Sequence, residues 1–351
     1  MKTREANFEL LRILAMLMII TLHFLDKGGI LPKPDAVFGP AGYLAWGLEA
    51  FCVCAVNVYV LIGAYFLAEG DYRPGRAPKL WLQVFFYAAG IKALALAAGL
   101  VPGMDKYELL QVIFPVIQEH YWFVTAYLLM ILIAPLMNDT LRRLPEKTYR
   151  RGILLLLVFL SLSSSMLPVK LPIDRMGYDT VWFLCLYLIG AYIRFHGGKA
   201  KRISGMLAGY AAAGLLIFAS LLAVHAYYEK TGSLGDFINR QYQYNSVLCL
   251  TASACLFLAF RSIRIPQGRA SAVICRIASA SFGVYLIHEH VDLRYRWPAL
   301  LGTQRYADSP VFLLYWLPGV AIVYAVCMII DFARQYMFRG IVKWLINANK
   351  R

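Results

Sequence analysis

Charge is scarce in this sequence. Asp, Glu, Lys and Arg together make up 16% of the 351 residues, where a soluble domain carries about 25%. With 60% hydrophobic residues and a mean hydropathy of +0.59, the shortage excludes an ordinary soluble domain and leaves a polytopic membrane protein. Acidic residues are scarcer than basic ones, 20 against 35, for a net charge of +15. A nucleic-acid binder would gather such a charge on a soluble face. Here the cations punctuate long apolar runs, so nucleic acid is not an expected partner. The seven cysteines, Cys52, Cys54, Cys185, Cys249, Cys255, Cys275 and Cys327, lack the spacing of a disulfide framework or a metal site. They read as thiols buried in apolar segments, and no metal is expected. Internal repeats, low-complexity tracts and a soluble domain are also missing. No small-residue cleavage site follows Leu25, so Lys2, Arg4 and the apolar stretch after them read as an uncleaved first helix.

What is present is a succession of apolar windows of spanning length, at about 8–25, 44–68, 79–101, 121–138, 152–167, 181–196, 203–228, 245–260, 277–291 and 311–333. The expected fold is all-α, with about ten transmembrane helices. Lys and Arg collect in alternate connections: Arg142, Arg143, Lys147, Arg150 and Arg151 lie between the fourth and fifth windows, against Lys106 alone between the third and fourth. By the positive-inside rule both termini are cytoplasmic. Residues 1–333 are expected to form a single transmembrane domain and 334–351 a basic amphipathic cytoplasmic tail, with Tyr336, Phe338 and Trp344 among Arg and Lys.

The first window holds Glu9, Arg12 and His23. Ionisable groups inside a span are expensive and so mark function. A step of three makes Glu9 and Arg12 helical neighbours, so that Glu9 can hold Arg12. The step of eleven from Arg12 to His23 is close to three turns, which places both on one face roughly 16 Å apart. A second cluster, Glu119-His120-Tyr121-Trp122-Phe123 with Tyr127, opens the fourth window; a third, His288-Glu289-His290 with Asp292, closes the ninth. Histidines two apart point to different faces, unlike the i, i+4 pair of a helical zinc site. Tyr285 and His288 share a face and are expected to form a hydrogen-bonded pair lining a cavity. Lys92, deep in the third window, either snorkels, pairs with a carboxylate from another helix or faces water. Asn57 reads as an interhelical hydrogen bond.

The R-x10-H pair in the first of about ten spans, together with Ser281-Phe282-Gly283-Val284-Tyr285-Leu286-Ile287-His288, resembles the acyltransferase 3 family of bacterial integral-membrane acyltransferases, over essentially the whole chain. The resemblance implies an enzyme of the bacterial cytoplasmic membrane. Such an enzyme moves an acyl group, often acetyl, from cytoplasmic acyl-CoA to a hydroxyl of an extracytoplasmic or lipid-linked glycan. Arg12 matches the family's arginine linked to acyl-CoA use, and His23 its essential histidine. Many members carry a W-S-L-x-x-E run where this chain has Trp122 followed by Phe123, Val124, Thr125, Ala126 and Tyr127. The glutamate is replaced by Tyr127, so acceptor preference does not transfer.

The chemistry of the residues agrees with that reading. A sugar hydroxyl needs a base, and an imidazole near pKa 6.5 is the usual one. Catalysis is therefore expected from His23, Arg12 and Glu9. The anionic donor needs cations, for which Arg12, Arg73, Arg76 and Lys92 are the candidates. The acceptor is expected at Glu119, His120, Trp122, Tyr127, Tyr285 and His288. The alternative is transport of a small solute such as an amino acid without acyl transfer: the membrane half of the membrane-bound serine racemases of vancomycin-resistant bacteria is similar to this family, and polar groups in mid-helix suit a transporter.

Overall fold

A backbone inside a bilayer has only its own chain to bond with, so apolar runs of about twenty residues fold as helices. The computed structural model describes residues 4–70, 75–116, 121–167, 175–198 and 202–348, with side chains as far as Gly340. It is 76% helical, with no strand among the described residues. In chain order the helices are α1 (Ala6–Asp26), α2 (Pro40–Cys52), α3 (Ala55–Leu67), α4 (Arg76–Ala97), α5 (Lys106–Ile113), α6 (Trp122–Arg143), α7 (Glu146–Leu157), α8 (Ser163–Met166), α9 (Thr180–His196), α10 (Ile203–Thr231), α11 (Val247–Ser262), α12 (Arg269–Ala278), α13 (Ser281–His288), α14 (Arg296–Leu300) and α15 (Phe312–Ala348).

Among the described residues nine stretches are long and apolar enough to cross a membrane, and α9 is a shorter apolar helix. Each of the ten falls on one of the expected windows. The second span, Pro40–Leu67, is α2 and α3 joined through Val53 and Cys54. Backbone carbonyls at this join are held by other helices: Tyr210 donates to the Phe51 carbonyl at 2.7 Å and Ser253 to that of Cys54 at 3.4 Å. Irregular backbone at membrane depth is tolerated when protein satisfies it in this way. No break separates the expected tail from the last span, because α15 runs on from Phe312 to Ala348 as one helix.

α1 is the hub, packing against α2, α3, α11, α12, α13 and α15. Phe8, Leu11, Ala15, Met16, Ile20, Phe24 and Leu25 are buried on it, as an all-round apolar helix requires. Peripheral helices instead expose leucines such as Leu136, Leu155 and Leu314, a surface suited to lipid. α13 approaches α15 closely at Gly283, where a Cβ would collide with the Asp331 side chain. That approach seats α13, and hence His288 at its end, beside α1.

Candidate active site

α1 presents His23 on the wall of a cavity of about 760 Å³, shared with Met16, Tyr59, Trp122, Tyr285 and Glu289. The volume lies within the range of small-molecule sites. His23 Nδ1 is 3.0 Å from His288 Nε2, and His288 Nδ1 is 2.6 Å from the Val284 carbonyl oxygen. These two contacts set the protons. A carbonyl oxygen can only accept, so His288 Nδ1 carries hydrogen and, in the neutral ring, His288 Nε2 is an acceptor. The hydrogen between the two imidazoles therefore belongs to His23 Nδ1, and the lone pair of His23 is left on Nε2. No described residue bonds that nitrogen.

Charges surround the pair. Glu289 Oε2 is 3.1 Å from His23 Nδ1 as an electrostatic neighbour, without hydrogen-bond geometry. Its other oxygen is 3.5 Å from Lys27 Nζ and 3.7 Å from Arg294 Nη1. Glu289 lies just past the end of its span, and burial pushes its carboxyl above the usual range, an effect Lys27 and Arg294 oppose. Trp297 Nε1 donates to the His288 carbonyl at 3.1 Å and fixes the helix end. His290 turns the other way, to the Ala88 carbonyl of α4 at 3.3 Å. Burial pushes its imidazole down to about 4. The two histidines thus face different helices, as their spacing implies.

Three turns away on α1, Arg12 Nη1 donates to both carboxylate oxygens of Glu9, each at 2.9 Å. The expected pairing of Glu9 with Arg12 is present. The Arg12 Nε and Nη2 donors have no described acceptor, so the guanidinium can still fork onto an anion. Its carbon is 6.0 Å from the ring centroid of Tyr59. Tyr59 also lines the cavity, whereas Arg12 is not among the lining residues. Tyr59 therefore adjoins both the Arg12 side chain and the space that reaches His23.

The remaining expected residues divide. Trp122 and Tyr285 line the cavity. Tyr285 and His288 are not a hydrogen-bonded pair: their rings are 6.2 Å apart and the Tyr285 hydroxyl has no partner among the described residues. His288 bonds His23 and is not among the cavity-lining residues. Tyr127 is not among the cavity-lining residues. Its hydroxyl rests where a Cβ on Gly63 would collide, within electrostatic reach of Arg12 and Arg76, and its ring stacks at 5.5 Å on Phe123 of the cavity wall. Arg76 packs its guanidinium against Gly70. Lys92 is buried in an ion pair with Asp292 at 3.0 Å, with Glu108 at 3.8 Å. Its charge is thereby neutralised beside the loop that follows α13, away from Arg12 and Arg76. Asn57 is an interhelical bond, donating to the Tyr244 carbonyl at 2.7 Å and accepting from Trp182 Nε1 at 3.0 Å. Arg73, Glu119 and His120 lie outside the described residues.

Sequence reasoning did not single out Glu289, Lys27, Trp46 or Glu49 as site residues. Glu289 had a signal in its adjacency to His288. The other three had none, because their relevance depends on which helices adjoin.

A family model described as "Acyltransferase domain" matches residues 5–332. No curated protein and no solved structure matches the chain.

Proposed function

We propose, from the premise that the chain belongs to this acyltransferase family, that it transfers an acyl group from acyl-CoA to a hydroxyl of a saccharide acceptor, with His23 as general base. The observation that carries the proposal is the histidine relay. With its Nδ1 hydrogen committed to His288, His23 offers the Nε2 lone pair from the cavity wall. As the acceptor oxygen attacks the thioester carbonyl, its proton passes to Nε2. The tetrahedral intermediate then collapses: the C–S bond breaks, and the leaving CoA thiolate takes the proton back from the imidazolium. Glu289, 3.1 Å from Nδ1, stabilises that transient cation.

The donor's phosphates suit the free Nε and Nη2 donors of Arg12, with Arg76 in electrostatic support. If the N-terminus is cytoplasmic, that end of α1 faces the acyl-CoA pool and the His23 end faces outward, toward a glycan or lipid-linked saccharide. Tyr59, which adjoins both Arg12 and the cavity, is a side chain that a pantetheine arm would pass. Acetyl is the expected acyl group, and a bacterial cytoplasmic membrane the expected location.

The test is CoA release and acyl-saccharide formation by the purified chain in lipid nanodiscs. His23→Ala should lose transfer by on the order of 10²–10⁴-fold while keeping the thermal melting of the native protein. Full transfer by a folded His23→Ala protein would refute the mechanism.

A further inference from the structure

The cavity is acidic although the protein is basic. Its described wall carries Asp26, Asp35, Glu49, Asp236 and Glu289 against Lys27 alone, in a chain of net charge +15. Lys27 is already shared between Asp26 at 3.6 Å and Glu289 at 3.5 Å. Among the described residues Glu49 has no cation: no hydrogen bond or ion pair reaches its side chain, and its Oε2 is buried without a partner. One helical turn earlier on α2, Trp46 lines the same cavity, is 3% exposed, and has a buried Nε1 hydrogen with no acceptor. Two unsatisfied atoms, one acceptor and one donor, therefore line the same cavity one helical turn apart.

Aromatic rings enclose them. Tyr242 meets Trp46 edge-on at 4.9 Å, and Tyr178 and Tyr244 lie 4.6 Å apart. All three tyrosines line the cavity within electrostatic reach of Glu49. Glu49 is half-buried, and a carboxylate oxygen buried without a partner is costly. A ligand cation removes that cost with a charge-assisted hydrogen bond, and the ring faces add their attraction for positive charge. A neutral sugar would use the rings and leave Glu49 unanswered; an anionic one would meet like charge.

We propose that Glu49 is a subsite for a protonated amine, and that the acceptor is an amino sugar whose ammonium binds Glu49, with a neighbouring sugar oxygen accepting from Trp46 Nε1, while one of its hydroxyls meets His23. The proposal rests on the acyltransferase reading. It carries a chemical consequence: an amine held as R–NH3+ has no lone pair and cannot attack the thioester. The hydroxyl is then the group acylated, its proton leaving through His23 to the CoA thiolate as above.

The test begins without acyl-CoA, so that binding is read apart from chemistry. The full chain in nanodiscs is titrated calorimetrically with the methyl glycosides of glucosamine, N-acetylglucosamine and glucose, and with serine. The free-amine glycoside should bind about tenfold more tightly than either uncharged glycoside, and Glu49→Gln should erase that margin. Equal or weaker binding of the amine overturns the proposal, as does a margin that survives in Glu49→Gln. Serine binding more tightly than the amino glycoside overturns the amino-sugar assignment in favour of an amino acid. Should Glu49→Gln fail to fold, the margin in the native protein decides alone. Acyl-CoA is then added: an amine margin without CoA release from any glycoside means that the transfer reading has failed while the ammonium subsite stands.

Discussion

The two ends of α1 hold their charged residues by opposite means. At one end Arg12 is held from three residues away, by Glu9 on the same helix at 2.9 Å. At the other, His23 is held from 265 residues away, by His288 at 3.0 Å, with Glu289, Lys27 and Arg294 gathered round. The local pair needs only a helix. The distant relay needs α13 seated against α1, which in turn needs Gly283 to admit Asp331. The first arrangement leaves free guanidinium donors suited to an anion; the second fixes a tautomer and frees one nitrogen for proton transfer. Under the proposed function, binding at one end and chemistry at the other are thereby separable.

The separation should be visible in mutants. The largest effect is the loss of transfer in His23→Ala described above, and the same substitution should leave acyl-CoA binding unchanged in a filter or calorimetric assay. Next comes Lys92→Met, which leaves Asp292 buried without its cation. Breaking a buried pair costs about 3–5 kcal/mol, read as a lower midpoint in denaturant, with no change in KM for acyl-CoA in protein that remains folded. A raised KM without loss of stability would return Lys92 to the Arg12 end.

His288→Phe keeps the ring but removes the acceptor for His23 Nδ1. We expect kcat to fall on the order of tenfold to a hundredfold, with KM for acyl-CoA unaltered. Arg12→Ala should do the reverse, raising KM for acyl-CoA about tenfold with little effect on the pH profile of kcat. Equal effects of both variants on both parameters would erase the distinction between the ends.

The smallest effect concerns pH. Unfolded, His290 takes a proton near its ordinary value of 6.5; folded, beside Asp292, Lys92 and Arg294, burial delays that to about 4. Because the unfolded state binds the proton first, stability is lost as pH falls from 6.5 towards 4. The melting temperature should therefore decline over that window, and decline less steeply in His290→Asn.

How much of this was legible before the fold is best judged residue by residue. The ten apolar windows each fell on helical structure, some of it broken as in α2 and α3, because hydrocarbon permits no other pairing for a continuous apolar run. The Glu9–Arg12 contact followed from helical spacing alone. His288 and His290 were read to face apart, and they do. The contact of His23 with His288 was not foreseen, because it joins residues 265 apart. Tyr127 stands near Arg12 where an acceptor contact was expected, and Lys92 was spent on Asp292.

The sequence by itself determined the membrane class, the helices and the Glu9–Arg12 contact, since each depends on period and composition; the equally spaced Tyr285 and His288 did not pair, because His288 bonds Val284 and His23 instead. Which helices adjoin α1 was decided only by tertiary packing. That packing settled the tautomer of His23, the place of Tyr59 beside Arg12 and the cavity, and the isolation of Glu49 among aromatic rings. Periodicity states which face of a helix a residue occupies and not what lies across from it, and the chemistry of this site is made of pairs that face each other across helices.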